Sequence, residues 1–289
     1  AEDADKTMKI IFFARDARGG LGERRFFRIA VRTLVDIAPA AVRKNIPLFP
    51  EYGRFDDLCV LIGTPLEKDA IDIIDTQLRF DKASMATGGK VSLLAKWLPS
   101  VNTSSKETRN AGRRIAAMLG MSEAEYRKTL SALRKYSDIL ENRLRERDYT
   151  FNYGIQPSCA MFKYRKAFIR NDGERYTAYL DKVQKGEAKL HADRLFPYDI
   201  VRAALNRNIA PEEETSLDAA WNSLPDLTSA KHENAIAVID GSGSMTWGIG
   251  IRPIDAALSL GIYFAERNTG AFANHFITFS STPRLVEIK

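Results

Sequence analysis

Two cysteines, Cys59 and Cys159, are all that the 289 residues contain. A disulfide framework is therefore not expected, and a reducing, cytoplasmic setting fits best. Only three histidines occur, His191, His232 and His275. They are scattered, and no Cys/His group has the spacing of a zinc site. No run of about 18 apolar residues is present, so no membrane-spanning helix and no membrane partner are expected. The first residues, AEDADKTMKI, are acidic and lack the apolar stretch of a signal peptide. No nucleophile–base pair and no paired carboxylates with supporting spacing stand out, which argues against an enzyme.

What is present is ordinary globular composition, 45% hydrophobic and 28% charged, with a net charge of +6. The charge is unevenly placed. Between Lys106 and Arg170 there are 15 Lys/Arg against 7 Asp/Glu, while the rest of the chain is slightly acidic. A concentrated basic segment is what a phosphate-facing surface requires, although solvated helix faces also carry Lys and Arg.

From Lys6 to about Trp221 the apolar spacing is helical. Phe26, Phe27, Ile29, Ala30, Leu34 and Ile37 form one such set, and Ile71, Ile74 and Leu78 another. Gly19 and Gly20 end the first helix. Ser104 with Glu107, and Ser122 with Glu125, read as capping boxes. Prolines at 39, 47, 50, 65 and 99 punctuate the helices. Amphipathic helices on short connections predict stacked antiparallel hairpins, a degenerate HEAT-like solenoid without a fixed period. The expected division is a helical module over 1–224, a polar linker over 225–234 and an α/β segment over 235–289. Pro211 to Glu214 is an acidic helix start.

The character changes at Ala235-Ile236-Ala237-Val238-Ile239, a continuous apolar run of the kind found in a buried parallel strand. An amphipathic helix over Pro253 to Glu266 follows, then strands at Phe276 to Phe279 and from Leu285. The strand–helix–strand order predicts a doubly wound α/β domain, present here only at its start.

Directly after the apolar run stands Asp240-Gly241-Ser242-Gly243-Ser244. Ligands of open α/β sheets gather at the carboxyl ends of strands. One carboxylate and two hydroxyls on a glycine turn suit Mg²⁺ or Mn²⁺, which prefer hard oxygen donors. A flexible Gly-Ser turn is the plain alternative. The segment is not a P-loop. It is also not a dinucleotide fingerprint, since Thr246 stands where the third glycine belongs.

Asp-x-Ser-x-Ser after a strand resembles the first segment of a metal-ion-dependent adhesion site of von Willebrand factor A (VWA) domains. Phe13 to Arg25, read as R-D-x-R-G-G-x-G-E-R, resembles a signature of VWA-containing proteins similar to the Ro (TROVE) family. Pro50 to Leu58, Leu98-Pro99-Ser100 with Ser104 to Arg109, and Lys163 to Phe168 extend the likeness along the chain. The resemblance implies a ring or horseshoe of helical repeats followed by a VWA domain, and metal ligation by Asp240, Ser242 and Ser244. Such sites add a Thr and an Asp from later loops, so the set in this chain is expected to be incomplete. The resemblance also implies a scaffold for small non-coding RNAs or single-stranded RNA 3′ ends. Candidate contacts are Arg109, Arg113, Arg114, Arg127, Lys128, Arg134, Lys135, Lys163, Tyr164, Arg165, Lys166 and Arg170. Neighbouring Phe162 and Phe168 are expected in the core. Arg18, Arg24 and Arg25 either face a ligand or pair with Asp16, Glu23, Asp56 or Asp57. A protein partner whose carboxylate is captured at the metal site is the competing expectation.

Overall fold

The computed structural model describes residues 3–206, 208–228, 235–248 and 250–288. Among these the chain is mainly helical, with thirteen α-helices and a small three-stranded sheet near the C-terminus. It divides into two compact units, Ala1–Asn142 and Arg143–Lys289. Most of the expected linker, residues 229–234, lies outside the described residues.

The first unit contains α1 (Ala4–Arg15), α2 (Arg24–Ile37), α3 (Pro39–Asn45), α4 (Phe49–Tyr52), α5 (Glu67–Ala86), α6 (Leu94–Trp97), α7 (Lys106–Met118) and α8 (Glu123–Tyr136), with α9 (Leu140–Arg145) at its boundary. One core joins them, with Phe12, Phe27, Phe49, Leu58, Ile74, Ile115 and Tyr126 among its members. On α2 the expected apolar set divides. Phe27, Val31, Leu34 and Val35 face the core, whereas Phe26, Ile29 and Ile37 are exposed. Two apolar rows alternate along this helix, and only one can face the interior. The cap of α7 is Ser105 rather than Ser104, because the Ser105 hydroxyl accepts from the Thr108 N–H. Ser122 caps α8 as expected.

Trp97 and the turn after it depend on Arg134. Its Nε donates to the Ala95 carbonyl at 2.5 Å, Nη2 to Leu98 at 2.9 Å and Nη1 to Ser100 Oγ at 2.8 Å. The Ala95 and Leu98 carbonyls lie at the C-terminal end of a four-residue helix, where helical partners are lacking, and the Ser100 hydroxyl adds a third acceptor.

The R-D-x-R-G-G motif is anchored in this unit by its first arginine. Arg15 is buried and grips the fully buried Asp57 through Nε at 2.8 Å and Nη2 at 2.7 Å. Arg28 reaches the other Asp57 oxygen at 2.9 Å, and Arg54 pairs with Asp56 at 2.6 Å. Gly53 is required by close approach: a Cβ there would stand 2.4 Å from Asp57 Oδ2 and 2.9 Å from Arg15 Nε. The direct ion pairs thus come from Arg15, Arg28 and Arg54 rather than from Arg24 or Arg25. Arg18 donates to the Glu51 carbonyl at 2.6 Å.

The second unit begins with an aromatic cluster of Phe151, Tyr153, Phe168, Tyr176 and Tyr179, packed largely edge to face or tilted. Phe168 and Tyr176 lie on α10 (Ser158–Gln184), which is broken at Asp172 by a non-helical φ of −147° and ψ of 39°. α11 (Pro197–Ala204) and α12 (Pro211–Asn222) follow. Strand β1 (Ala237–Asp240) pairs parallel with β2 (His275–Phe279), which pairs antiparallel with β3 (Arg284–Glu287). Between β1 and β2 runs α13 (Pro253–Arg267). It packs so closely on the sheet that a Cβ on Gly261 would meet Ile239 Cδ1 at 1.8 Å.

The first strand is half buried rather than buried. Ile239 lies under α13, but Val238 is 60% exposed. Val238, Ile277 and Leu285 stand in register across the three strands, on the face away from Ile239. Leu285 is 63% exposed as well.

Candidate metal centre and basic faces

β1 ends at Asp240, and the chain turns at once into a short 3₁₀ turn, Gly243–Thr246. The turn is held in three places. The Ser242 N–H donates to Asp240 Oδ1 at 2.9 Å. The Gly241 N–H donates to the Phe279 carbonyl at 2.8 Å, tying the loop to the end of β2. The Met245 N–H donates to the Ser242 carbonyl at 3.0 Å. In this arrangement Ser242 Oγ and Ser244 Oγ share a hydrogen bond at 3.0 Å.

That spacing can be compared with a cation's needs. Two neighbouring ligands of octahedral Mg²⁺, each about 2.05 Å from the metal, stand about 2.9 Å from one another. The two hydroxyls therefore match one edge of the octahedron. The hydrogen bond from the Ser242 backbone N–H holds the Asp240 carboxyl below its usual range, so it is ionised at neutral pH. The Ser242 hydroxyl lowers the same carboxyl, so the carboxylate and the hydroxyls lie close together. The donor set fits a divalent cation and supplies three protein oxygens. Among the described residues no group of three or more His, Cys, Asp or Glu side chains could hold a metal. A cation at Asp240 would thus retain open positions for water or for a ligand.

An apolar cavity of about 820 Å³ is lined by β1 from Ala237 to Asp240. Leu260, Gly261 and Phe264 of α13 line it, with Arg267 and Asn268 also on its wall.

The basic residues are less available than their number suggests. Arg114 is tied to Glu67 by two hydrogen bonds, the Nη2 contact at 2.6 Å. That pairing holds the Glu67 carboxyl below its usual range. Arg113 pairs with Glu123 at 3.0 Å, and Arg109 donates to the Thr103 carbonyl at 2.9 Å. Arg134 is the cap already described, and burial lowers its pKa. In the second unit Arg165 grips the buried Glu213 at 2.8 Å and covers the Phe162 ring, while Lys166 reaches the same carboxylate at 3.2 Å. Lys163 lies over the ring of Tyr164. Phe168 is in the core and Phe162 only partly buried. Arg127, Lys128 and Lys135 are exposed on α8, and Arg170 is exposed on α10. The candidates therefore fall into two sets on separate units, Arg109 to Lys135 and Lys163 to Arg170.

Two large apolar residues that the sequence reading did not single out, Trp247 after the Gly243–Thr246 turn and Phe279 in register with Asp240, are exposed.

The chain belongs to the family described as "Domain of unknown function (DUF2828)", which matches residues 65–234. Residues 234–289 match a second family, "Domain of unknown function (DUF7788)", which takes in the sheet and the Asp240 loop. The chain is similar to "Uncharacterized protein L728" of Acanthamoeba polyphaga mimivirus, at 28% identity over 98% of this chain and 55% of that protein. It thus spans about half the length of that relative. No solved structure matches it.

Proposed function

We propose that the chain captures a carboxylate of a partner protein through a divalent cation, Mg²⁺ or Mn²⁺, held by Asp240, Ser242 and Ser244. The observation that carries this reading is the 3.0 Å separation of the two serine hydroxyls beside an ionised aspartate at a strand's carboxyl end. On this reading the C-terminal segment is the start of a VWA-like domain, and the helical part is a HEAT-like scaffold. A cation bound there would supply a strong local positive charge. Asp240 would neutralise part of it, the two serine hydroxyls would help to hold it, and a partner's carboxylate could complete its ligands. With a single charged protein ligand, affinity for the bare cation is weak, because affinity rises with ligand charge and rigidity.

The test is a titration with acetate, followed by NMR chemical shifts, in Mg²⁺ and again in EDTA. The expected result is saturable perturbation of residues 240–246 in Mg²⁺ only, abolished in Ser242→Ala. Because the Asp240 carboxyl lies below the usual range, the loss of binding at low pH follows protonation of acetate itself rather than of Asp240. Absence of Mg²⁺-dependent acetate binding sinks the reading.

The second reading, an RNA scaffold, draws on the exposed face of α8. Arg127, Lys128 and Lys135 are exposed there, and Lys128 and Lys135 are two turns apart on one side. Affinity for an RNA with a single-stranded 3′ end should then fall steeply with salt and drop in Lys128→Glu with Lys135→Glu.

A further inference from the structure

We infer that the cleft between α2 and α7 binds a small phosphate monoester that carries an apolar group. The cleft lies wholly within the first unit, so the inference stands apart from the cation reading of the Asp240 loop.

The cleft has a volume of about 660 Å³, the size of a small-molecule site. It is lined by Arg28, Ile29 and Arg32 of α2 and by Glu107, Asn110 and Arg114 of α7. Arg32 argues for an anionic ligand. Its Nη1 donates to the Val60 carbonyl at 3.0 Å and to the Ile62 carbonyl at 3.2 Å, and these bonds restrain the guanidinium. Its Nε–Nη2 edge, the fork that takes two oxygens of a carboxylate or phosphate, has no acceptor among the described residues. Arg28, one turn earlier, holds a second incomplete donor. Its Nη2 is buried and has no aligned hydrogen-bond acceptor among the described residues, although Asp56 Oδ2 stands 2.9 Å away. Buried donors without an acceptor are rare, and a water or an ion is a common reason for one.

The charge sets the kind of anion. Arg24, Arg28 and Arg32 are spaced four apart along one side of α2. Among the described residues neither Arg24 nor Arg32 has a carboxylate within ion-pair distance. Partial burial and the like charges of Arg54 and Arg28 lower the Arg24 pKa, as befits a cation short of counter-charge. Arg32 supplies the direct contact, and Arg24 adds to the field. A phosphate monoester carries nearly two negative charges at neutral pH and so answers this surplus. A nucleic-acid strand calls for a longer run of uncommitted cations, and here Arg28 is already held by Asp57 and Arg114 by Glu67. Ile29, 57% exposed, offers the ester group apolar contact on the same cleft. Glu107 is a carboxylate on the cleft and opposes the ligand's charge.

The experiment uses the whole chain in EDTA, which keeps the Asp240 loop out of the readout, and isothermal titration with three probes. These are inorganic phosphate, phenyl phosphate and a short oligouridylate without a terminal phosphate. The expected result is saturable one-to-one binding of both phosphates, phenyl phosphate being the tighter, and no competition by the oligouridylate at equal phosphate concentration. Arg32→Lys cannot hold the two carbonyls and offer a fork as well, and it should weaken both phosphates about tenfold. Asn110→Glu leaves the Arg32 contacts intact, places a carboxylate on an exposed position of the cleft, and should weaken both as well. Glu107→Gln should tighten both, and Ile29→Ala should remove only the preference for phenyl phosphate. The inference is overturned by the absence of saturable phosphate binding, by binding that Arg32→Lys and Asn110→Glu leave unchanged, or by an oligouridylate that displaces phenyl phosphate.

Discussion

Asp57→Asn is the substitution that tests the architecture of the N-terminal unit most sharply. The Asp57 side chain is fully buried and receives Arg15 Nε at 2.8 Å, Arg15 Nη2 at 2.7 Å, Arg28 Nε at 2.9 Å and the Arg54 backbone N–H at 3.1 Å. Asparagine preserves the volume but removes the charge and turns an NH₂ group toward a guanidinium. Arg15, itself buried, is then a cation without its counterion. Breaking a buried pair in this way costs about 3–5 kcal/mol. The matched control is Asp69→Asn, which loses an exposed pair with Arg43 at 3.1 Å and should cost less than about 1 kcal/mol. Trp97 reports on this unit, since the Arg54 guanidinium lies 3.9 Å over its ring. Urea unfolding followed by Trp97 fluorescence, with Trp221 and Trp247 replaced by phenylalanine, should show the midpoint of Asp57→Asn lower by about 1.5 M, for a slope of about 2–3 kcal/mol/M. A shift no larger than that of Asp69→Asn would refute the reasoning, because Asp57 would then not be the counterion on which Arg15 depends.

Two further outcomes follow from the packing. Arg134→Met keeps the apolar stem but leaves the Ala95 and Leu98 carbonyls without their donor. It should destabilise the first unit by about 3 kcal/mol, read from the same urea curves. Gly261→Ala drives a methyl into Ile239 and should cost about 1–2 kcal/mol despite alanine's better helix propensity. Ile239→Val removes the clashing Cδ1, so the double variant should lose less than the sum of the single ones in a thermal melt.

The C-terminal segment was legible because its signals are local. Ala235 to Ile239 announces a strand, Asp240 to Ser244 a tight turn, and Pro253 to Glu266 the helix between strands. Each depends on residues adjacent in sequence. The exposure of Val238 was not legible, because a continuous apolar run says that a strand is apolar and not which face is covered. The roles of the arginines were opaque for a different reason. Arg114 finds Glu67 and Arg165 finds Glu213 across intervals of 47 and 48 residues, and Arg134 finds carbonyls as distant as Ala95, which carry no sequence signature. A basic segment counted along the chain thus mixes side chains that hold the fold together with those left in solvent. The motif around Arg15 shows the same effect. Its sequence reads as a possible site, and its burial against Asp57 makes it a structural joint. On α2, where Phe26 and Phe27 are neighbours, spacing alone fits either row to the core.

The most direct measurement of the central claim is Mn²⁺ binding, read by electron paramagnetic resonance of the free ion. It is made on the whole chain and on Asp240→Asn, Ser242→Ala and Ser244→Ala, with acetate present to fill an open coordination position. The account predicts one Mn²⁺ site per chain, competed by Mg²⁺, strengthened by acetate and lost in each of the three variants. Free-ion signal unchanged by the wild-type chain, or binding that survives all three substitutions, would contradict it.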